Sequence, residues 1–234
     1  MSLLTITQTI CKRVGVTSPS IVIGNADQNI VRLLNILEEE GQELSERHRW
    51  QALTKEASFT TAATISQGLV STIATDIAYF KNDTFFNRNS NVPVIPVDDV
   101  TWQRMQANTA SGPYPNLRIF GKTIYMYPVP TAGESVFFEY ISKNWCASSG
   151  GTGQTAWAAD ADVGVLDEEL MAQGGVWRWK KSMGFDYGED FRQYEQRIQN
   201  AIARDIPRGR ILMRGSRNPH FISKGNIEDG SWTL

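Results

Sequence analysis

Two histidines, His48 and His220, and two cysteines, Cys11 and Cys146, are the residues best suited to hold a metal or to serve as nucleophile and base. Their spacing suits neither task, because structural and catalytic zinc is held by Cys and His at short, paired intervals and no pair here has one. A Ser–His–acid triad would need only one histidine, but no nucleophile elbow marks a serine for it. His48 closes an apolar helical stripe and reads as a satisfied edge residue. The 25 carboxylates leave room for a two-carboxylate glycosidase site without naming its members. Asp160 and Asp162 begin like a calcium loop, yet Gly164 stands at the third ligand position and no glutamate follows at the closing distance. Gly121-Lys122-Thr123 looks like the end of a phosphate loop, but Asn116 replaces the first glycine and the context is a hairpin. Gly150-Gly151-Thr152-Gly153 lacks a following lysine and reads as a flexible linker. The sequence therefore assigns no catalytic residue, no metal ligand and no cofactor. Its seven tryptophans fit packing and interfaces better than sugar platforms.

The richest signal is the end of the chain. Residues 207–234 hold four arginines and one lysine against Glu228 and Asp229, a net +3, so the preceding residues carry −5 of the total −2. Apolar residues stand there in clumps, with no period of 2 or 3.6, and in greater number than a solvated tail would carry. This pattern predicts an arm that orders itself on another chain. Ile211, Leu212, Phe221 and Trp232 would anchor it, and Arg208, Arg210, Arg214 and Arg217 would set its register on an acidic or carbonyl-rich surface. A basic tail could also bind nucleic acid, although the aromatic or helical context for that is missing.

The elements that must position these residues follow from periodicity. Residues 2–14 read as a helix stopped by Gly15, and 27–50 as a long helix with Ile30, Leu33, Leu34, Leu37, Gly41, Leu44 and His48 on one stripe. Segment 55–145 is rich in threonine, β-branched residues and turn clusters, with a hairpin at 118–127 and a short helix at 97–107 capped by Asp98. Helix returns at 167–183, where Gly174-Gly175 implies a close neighbouring backbone, and at 186–205, where Tyr187, Phe191, Tyr194, Ile198 and Ile202 form a stripe. The fold class is α+β. N-terminal helices (1–54) and a linker with C-terminal helices (148–206) build one bundle, a mostly antiparallel β insertion occupies 55–147, and the arm follows at 207–234. The stripes of 27–50 and 186–205 are expected to pack on each other. A net charge of −2 with 41% hydrophobic residues gives no global nucleic-acid signature. The isolated cysteines point to a reducing compartment, and no secretory leader or membrane anchor is evident, since no apolar run approaches roughly 18 residues.

With its opening helix, the long helix at 27–50, the strands GKTIYMYPVP and GESVFFEYIS, and the closing MAQGGVWRWKKSMGFDYGEDFRQYEQRIQNAIARD, the chain resembles the head-to-tail adaptor (connector) proteins of tailed bacteriophages. That family includes the tubular or accessory tail proteins of short-tailed phages, and the likeness spans most of residues 1–206. It implies a non-enzymatic virion protein at the head–tail junction, present in the host cytoplasm during assembly. It implies a homo-oligomeric ring, commonly a dodecamer, docked on the portal protein, extending the DNA channel and recruiting the next tail component, a nozzle or tail tube. Genomic DNA would pass without sequence-specific binding, and the arm would clasp the portal or a neighbouring subunit. The alternatives are a virion-associated peptidoglycan hydrolase and a basic-tailed nucleic-acid-binding module.

Overall fold

Ser2 opens the first helix with a capping box: its hydroxyl accepts the Thr5 N–H, and the Thr5 hydroxyl accepts the Ser2 N–H. In the computed structural model, which describes residues 1–107, 112 and 114–205, this helix α1 spans Leu3–Val14 and stops at Gly15 with φ 76°. Helix α2, Gln28–Arg47, starts where the Asp27 carboxylate accepts the Asn29 N–H at 2.8 Å. It ends three residues short of the expected Trp50. The Trp50 indole N–H donates to the Leu44 carbonyl at 2.7 Å, which folds the chain back over the last turn and buries the ring. That is a tertiary contact, which helical periodicity does not register.

The strand-rich part follows in short pieces: β1 (Thr54–Thr60), β2 (Ser66–Leu69), the single helical turn α3 (Val70–Ile73), β3 (Ile77–Phe80), β4 (Phe86–Asn87), β5 (Val92–Pro93) and β6 (Ile95–Pro96). Helix α4 (Asp99–Ala107) starts at Asp98, whose carboxylate accepts the Thr101 N–H, as expected. Then come β7 (Asn116–Phe120), β8 (Thr123–Tyr127) and β9 (Ser135–Ser142). One sheet runs β1-β9-β4-β5, with β3 also on β9, and a second runs β2-β8-β7-β6. Every pairing is antiparallel except β6 with β7. The β7–β8 hairpin turns at Gly121 and Lys122, both with positive φ (55° and 63°), the geometry whose twist matches the strands it joins.

Segment 148–153, expected as a linker, is the turn of a hairpin. Ser148 and Thr152 pair through backbone N–H and carbonyl at 2.8 Å, between β10 (Cys146–Ala147) and β11 (Gly153–Gln154). Strand β12 (Val163–Gly164) completes this three-stranded sheet, and helices α5 (Glu168–Met183) and α6 (Gly188–Asp205) close the described chain. The architecture is α+β, with helices at both ends around mostly antiparallel sheets.

Two apolar clusters hold it together. The helical one gathers Leu3, Ile6, Ile10, Leu33, Leu37, Leu44, Met171, Trp179, Tyr194 and Ile198, with Trp145 and Trp157 from segments flanking the strands of the small sheet. The β cluster centres on Phe138, stacked on Phe85 at 5.0 Å and flanked by Phe59, Phe80 and Tyr140. Strand β9 serves both: alternation points Val136, Phe138 and Tyr140 into the β cluster, and Ile141 into the helical one.

Helix α5 lies at the centre of the bundle, against α1, α2 and α6. The expected apolar seam between the long and last helices is therefore replaced by two seams through α5, and Leu37 of α2 lies beside Gly175. Gly174 and Gly175 do meet close neighbours, but these are side chains, Glu40 and Ile10, rather than backbone.

Candidate functional site

Glu40 sits on the buried stripe of α2, one turn on from Ile36 and Leu37, and its side chain has no exposed surface. It fits because Gly174 faces it from α5: a Cβ at that glycine would lie 2.1 Å from the Glu40 carboxyl carbon. One turn further along α5, Arg178 donates from Nε to Glu40 at 2.9 Å and also pairs with Glu43. From α6, the buried Tyr194 hydroxyl donates to the other Glu40 oxygen. Arg47 lies 5.6 Å over the Tyr194 ring and bridges Glu43 and Glu195. Five charged side chains and one phenol thus tie α2, α5 and α6 together.

Burial pushes the Glu40 carboxyl up to about 7, against the opposing pull of Arg178 and the Tyr194 hydrogen bond. Burial and the adjacent Glu40 also push the Tyr194 phenol upward. A carboxyl poised near neutrality is what a general acid or base requires. Glu40, however, is sealed among helices, with both oxygens engaged, so no polymer can reach it in this arrangement. What the cluster can do is fix the last helix. At the far end of α6, Asp205 accepts the Gln51 N–H at 2.9 Å and lies 3.3 Å from His48 Nε2. The chain therefore leaves the described body at a defined point, beside the end of α2.

The predicted interface residues Arg208, Arg210, Ile211, Leu212, Arg214, Arg217, Phe221 and Trp232 lie outside the described residues, as does His220. Asp160 and Asp162 have structural work. Asp160 accepts the Val22 and Ile23 N–H groups, and Asp162 accepts those of Ala158 and Ala159 at 2.8 Å. Cys11 and Cys146 are buried free thiols. His48 packs edge-on to Trp50 at 5.1 Å, an edge residue as read. The six described tryptophans are all buried, in keeping with a packing role. Glu40, Arg178 and Tyr194 were missed, although Glu40 interrupts an apolar stripe and Gly174 precedes Arg178 by one turn.

A second polar hub lies within the β part, where it ties the segment before β3 to β1 and β9. Asp76 accepts from Lys55 at 2.6 Å, Ser142 at 2.7 Å and Tyr140 at 2.8 Å. Its partial burial opposes ionisation, but these three hydrogen bonds outweigh it and hold the carboxyl down at about 2.

A family model described as SU10 adaptor protein matches residues 1–220, across both clusters and beyond the last described helix. The chain belongs to the SU10 adaptor family. No curated protein matches it. As a member of that family, this adaptor is a bacteriophage structural protein and a component of the virion. Among the described residues of the adaptor, no helix is long and apolar enough to cross a membrane.

Proposed function

We propose that this adaptor is a head-to-tail connector of short-tailed phages. It forms a homo-oligomeric ring, of about twelve copies, that docks on the portal protein, extends the DNA channel and recruits the next tail component, a nozzle or tail tube. The observation that carries the reading is the family match, continuous over residues 1–220. The fold supports it at two points. Asp205 is pinned to His48 and Gln51, so residues 207–234 start from a fixed place, from which Arg208, Arg210, Arg214 and Arg217, with Ile211, Leu212, Phe221 and Trp232, would clasp the portal or a neighbouring copy. The β cluster, with its own apolar centre and short, turn-rich strands, suits a lobe spanning 55–147 that faces the next tail component. The net −5 of the chain before the arm suits a channel that DNA traverses without being held, since each neutralised phosphate would add affinity. Electron microscopy of the purified protein mixed with portal rings tests this. A coaxial second ring on the portal is expected, and portal rings without added density would overturn the proposal.

A further inference from the structure

The outer face of the β2–β8–β7 sheet carries a site to which the family match gives no role. Strand register places Leu69, Thr123 and Phe120 side by side, with Arg118 and Tyr125 one step along on the same face. Helix α4 covers the far end, where Trp102 meets Tyr125 and Tyr127 edge-on at 6.4 and 6.5 Å. The near end is open: Phe120 is 64% exposed, Leu69 50% and, on α4, Val100 65%. Between helix and strands lies a cleft of about 300 Å³ lined by Trp102, Gln103, Arg118, Phe120 and Tyr125.

Arg118 is the cation of this cleft. Its guanidinium lies 5.3 Å from the Phe120 ring centre, and one terminal nitrogen pairs at 2.9 Å with Asp99, whose side chain is 85% exposed. Its Nε is buried without a partner among the described residues. A buried donor lacking an acceptor is a standing cost, and a pair with a solvated carboxylate holds little. An incoming carboxylate could compete with Asp99 for the guanidinium, while the apolar rim shields the new pair from water. Lys122, exposed at the turn, adds a second positive charge.

The corner between α5 and α6 has the complementary character. Met183, Phe185, Tyr187 and Phe191 are exposed there, Phe185 at 62%. Asp186 stands among them, with one carboxylate oxygen on the Gly188 N–H at 3.0 Å and the other without a partner among the described residues. Clustered exposed apolar side chains mark interaction surfaces, and aromatic residues with arginine dominate the energetics of such contacts.

We infer that these surfaces are the two halves of a contact between neighbouring copies of this chain, in which the Asp186 corner of one copy enters the Arg118 cleft of the next. The two halves differ, so the contact is head-to-tail: a pair leaves one half free at each end for the next copy, and the series becomes a ring when the rotation between copies closes. The inference rests on the ring reading above and supplies its contact.

Sedimentation velocity of the full chain over a concentration series tests it. Self-association of the natural sequence is expected, weakened about tenfold or more by Phe120→Asp, by Phe185→Asp and by Asp186→Lys. An equimolar mixture of Phe120→Asp and Asp186→Lys chains should give dimers and nothing larger, because one cleft and one corner stay intact. Arg118→Glu combined with Asp186→Lys should restore assembly, with thermal melts confirming that the largely buried Arg118 position tolerates the change. A natural chain that stays monomeric, or assembly unchanged by Phe120→Asp and Phe185→Asp, overturns the contact. Rings that still form on portals from Phe120→Asp chains would remove the contact and leave the portal reading standing. Assembly that responds to these variants in a protein that ignores portals would do the reverse.

Discussion

Glu40 is where single residues matter most. Removing one partner of a buried charged pair costs about 3–5 kcal/mol, because the groups left behind lose their acceptor. Glu40→Ala strands Arg178 and the Tyr194 hydroxyl, so a loss of about that size in the chemical-denaturation free energy is expected. The pH dependence has a definite sign. The folded carboxyl binds its proton more tightly than the unfolded one, whose ordinary value is 4.5, so the associated stability is fully present below about 4.5 and is lost as pH rises through about 7. Melting temperatures measured from pH 5 to 8 should show the natural protein losing ground to Glu40→Gln, by up to ~3 kcal/mol over the range. A gap that stays constant with pH would contradict the assignment. Gly174→Ala offers a sharper contest. Alanine favours a helix interior by about 1 kcal/mol, but here its methyl would collide with the Glu40 carboxylate, and such overpacking costs about 1–3 kcal/mol. Net destabilisation is expected, and a raised melting temperature would mean that the Glu40 side chain moves aside.

Among the elements, α5 carries the bundle, and this explains which parts of the fold were legible beforehand. The hairpin expected at 118–127, whose first strand starts two residues earlier at Asn116, was readable because alternation and turn chemistry are local: Ile124 and Met126 face inward, and Gly121-Lys122 makes the turn. The start of α4 was readable for the same reason, since Asp98 accepts the Thr101 N–H three residues on. The end of α2 was not, because the contact that stops it is Trp50 reaching back to Leu44. Nor was the sheet β10–β12, whose two-residue strands carry no period. Two amphipathic stripes, on α2 and α6, announced that each must be buried but carried no information on the partner, and the expectation that they pack on each other did not hold. The answer was α5, whose glycines admit Glu40 and Ile10. Leu37, against Gly175, lies in the α2–α5 seam, so Leu37→Asp should cost several kcal/mol through an unpaired buried charge. An unchanged melting temperature would remove α5 from the centre of the bundle.

At the scale of the whole molecule, two apolar clusters and the polar ties at Glu40 and Asp76 hold the described residues, and Asp205, the last of them, is tied to Gln51 beyond the end of α2. The expectation of an arm rests on composition alone, cations, anchors and no period, and residues 207–234 lie outside the described residues. Its partner is the subject of the proposal above; membership of the SU10 adaptor family shows a bacteriophage adaptor protein. An arm of 28 residues can span up to roughly 90 Å when extended, and repeated around a ring its weak contacts would add. The most direct test compares the full chain with one ending at Asp205 for binding to DNA-filled, portal-bearing heads that lack tails. The shortened chain should match the full one in helix content and melting temperature, yet wash off heads that retain the full chain. Equal retention of both chains, or no retention of the full one, would contradict the account.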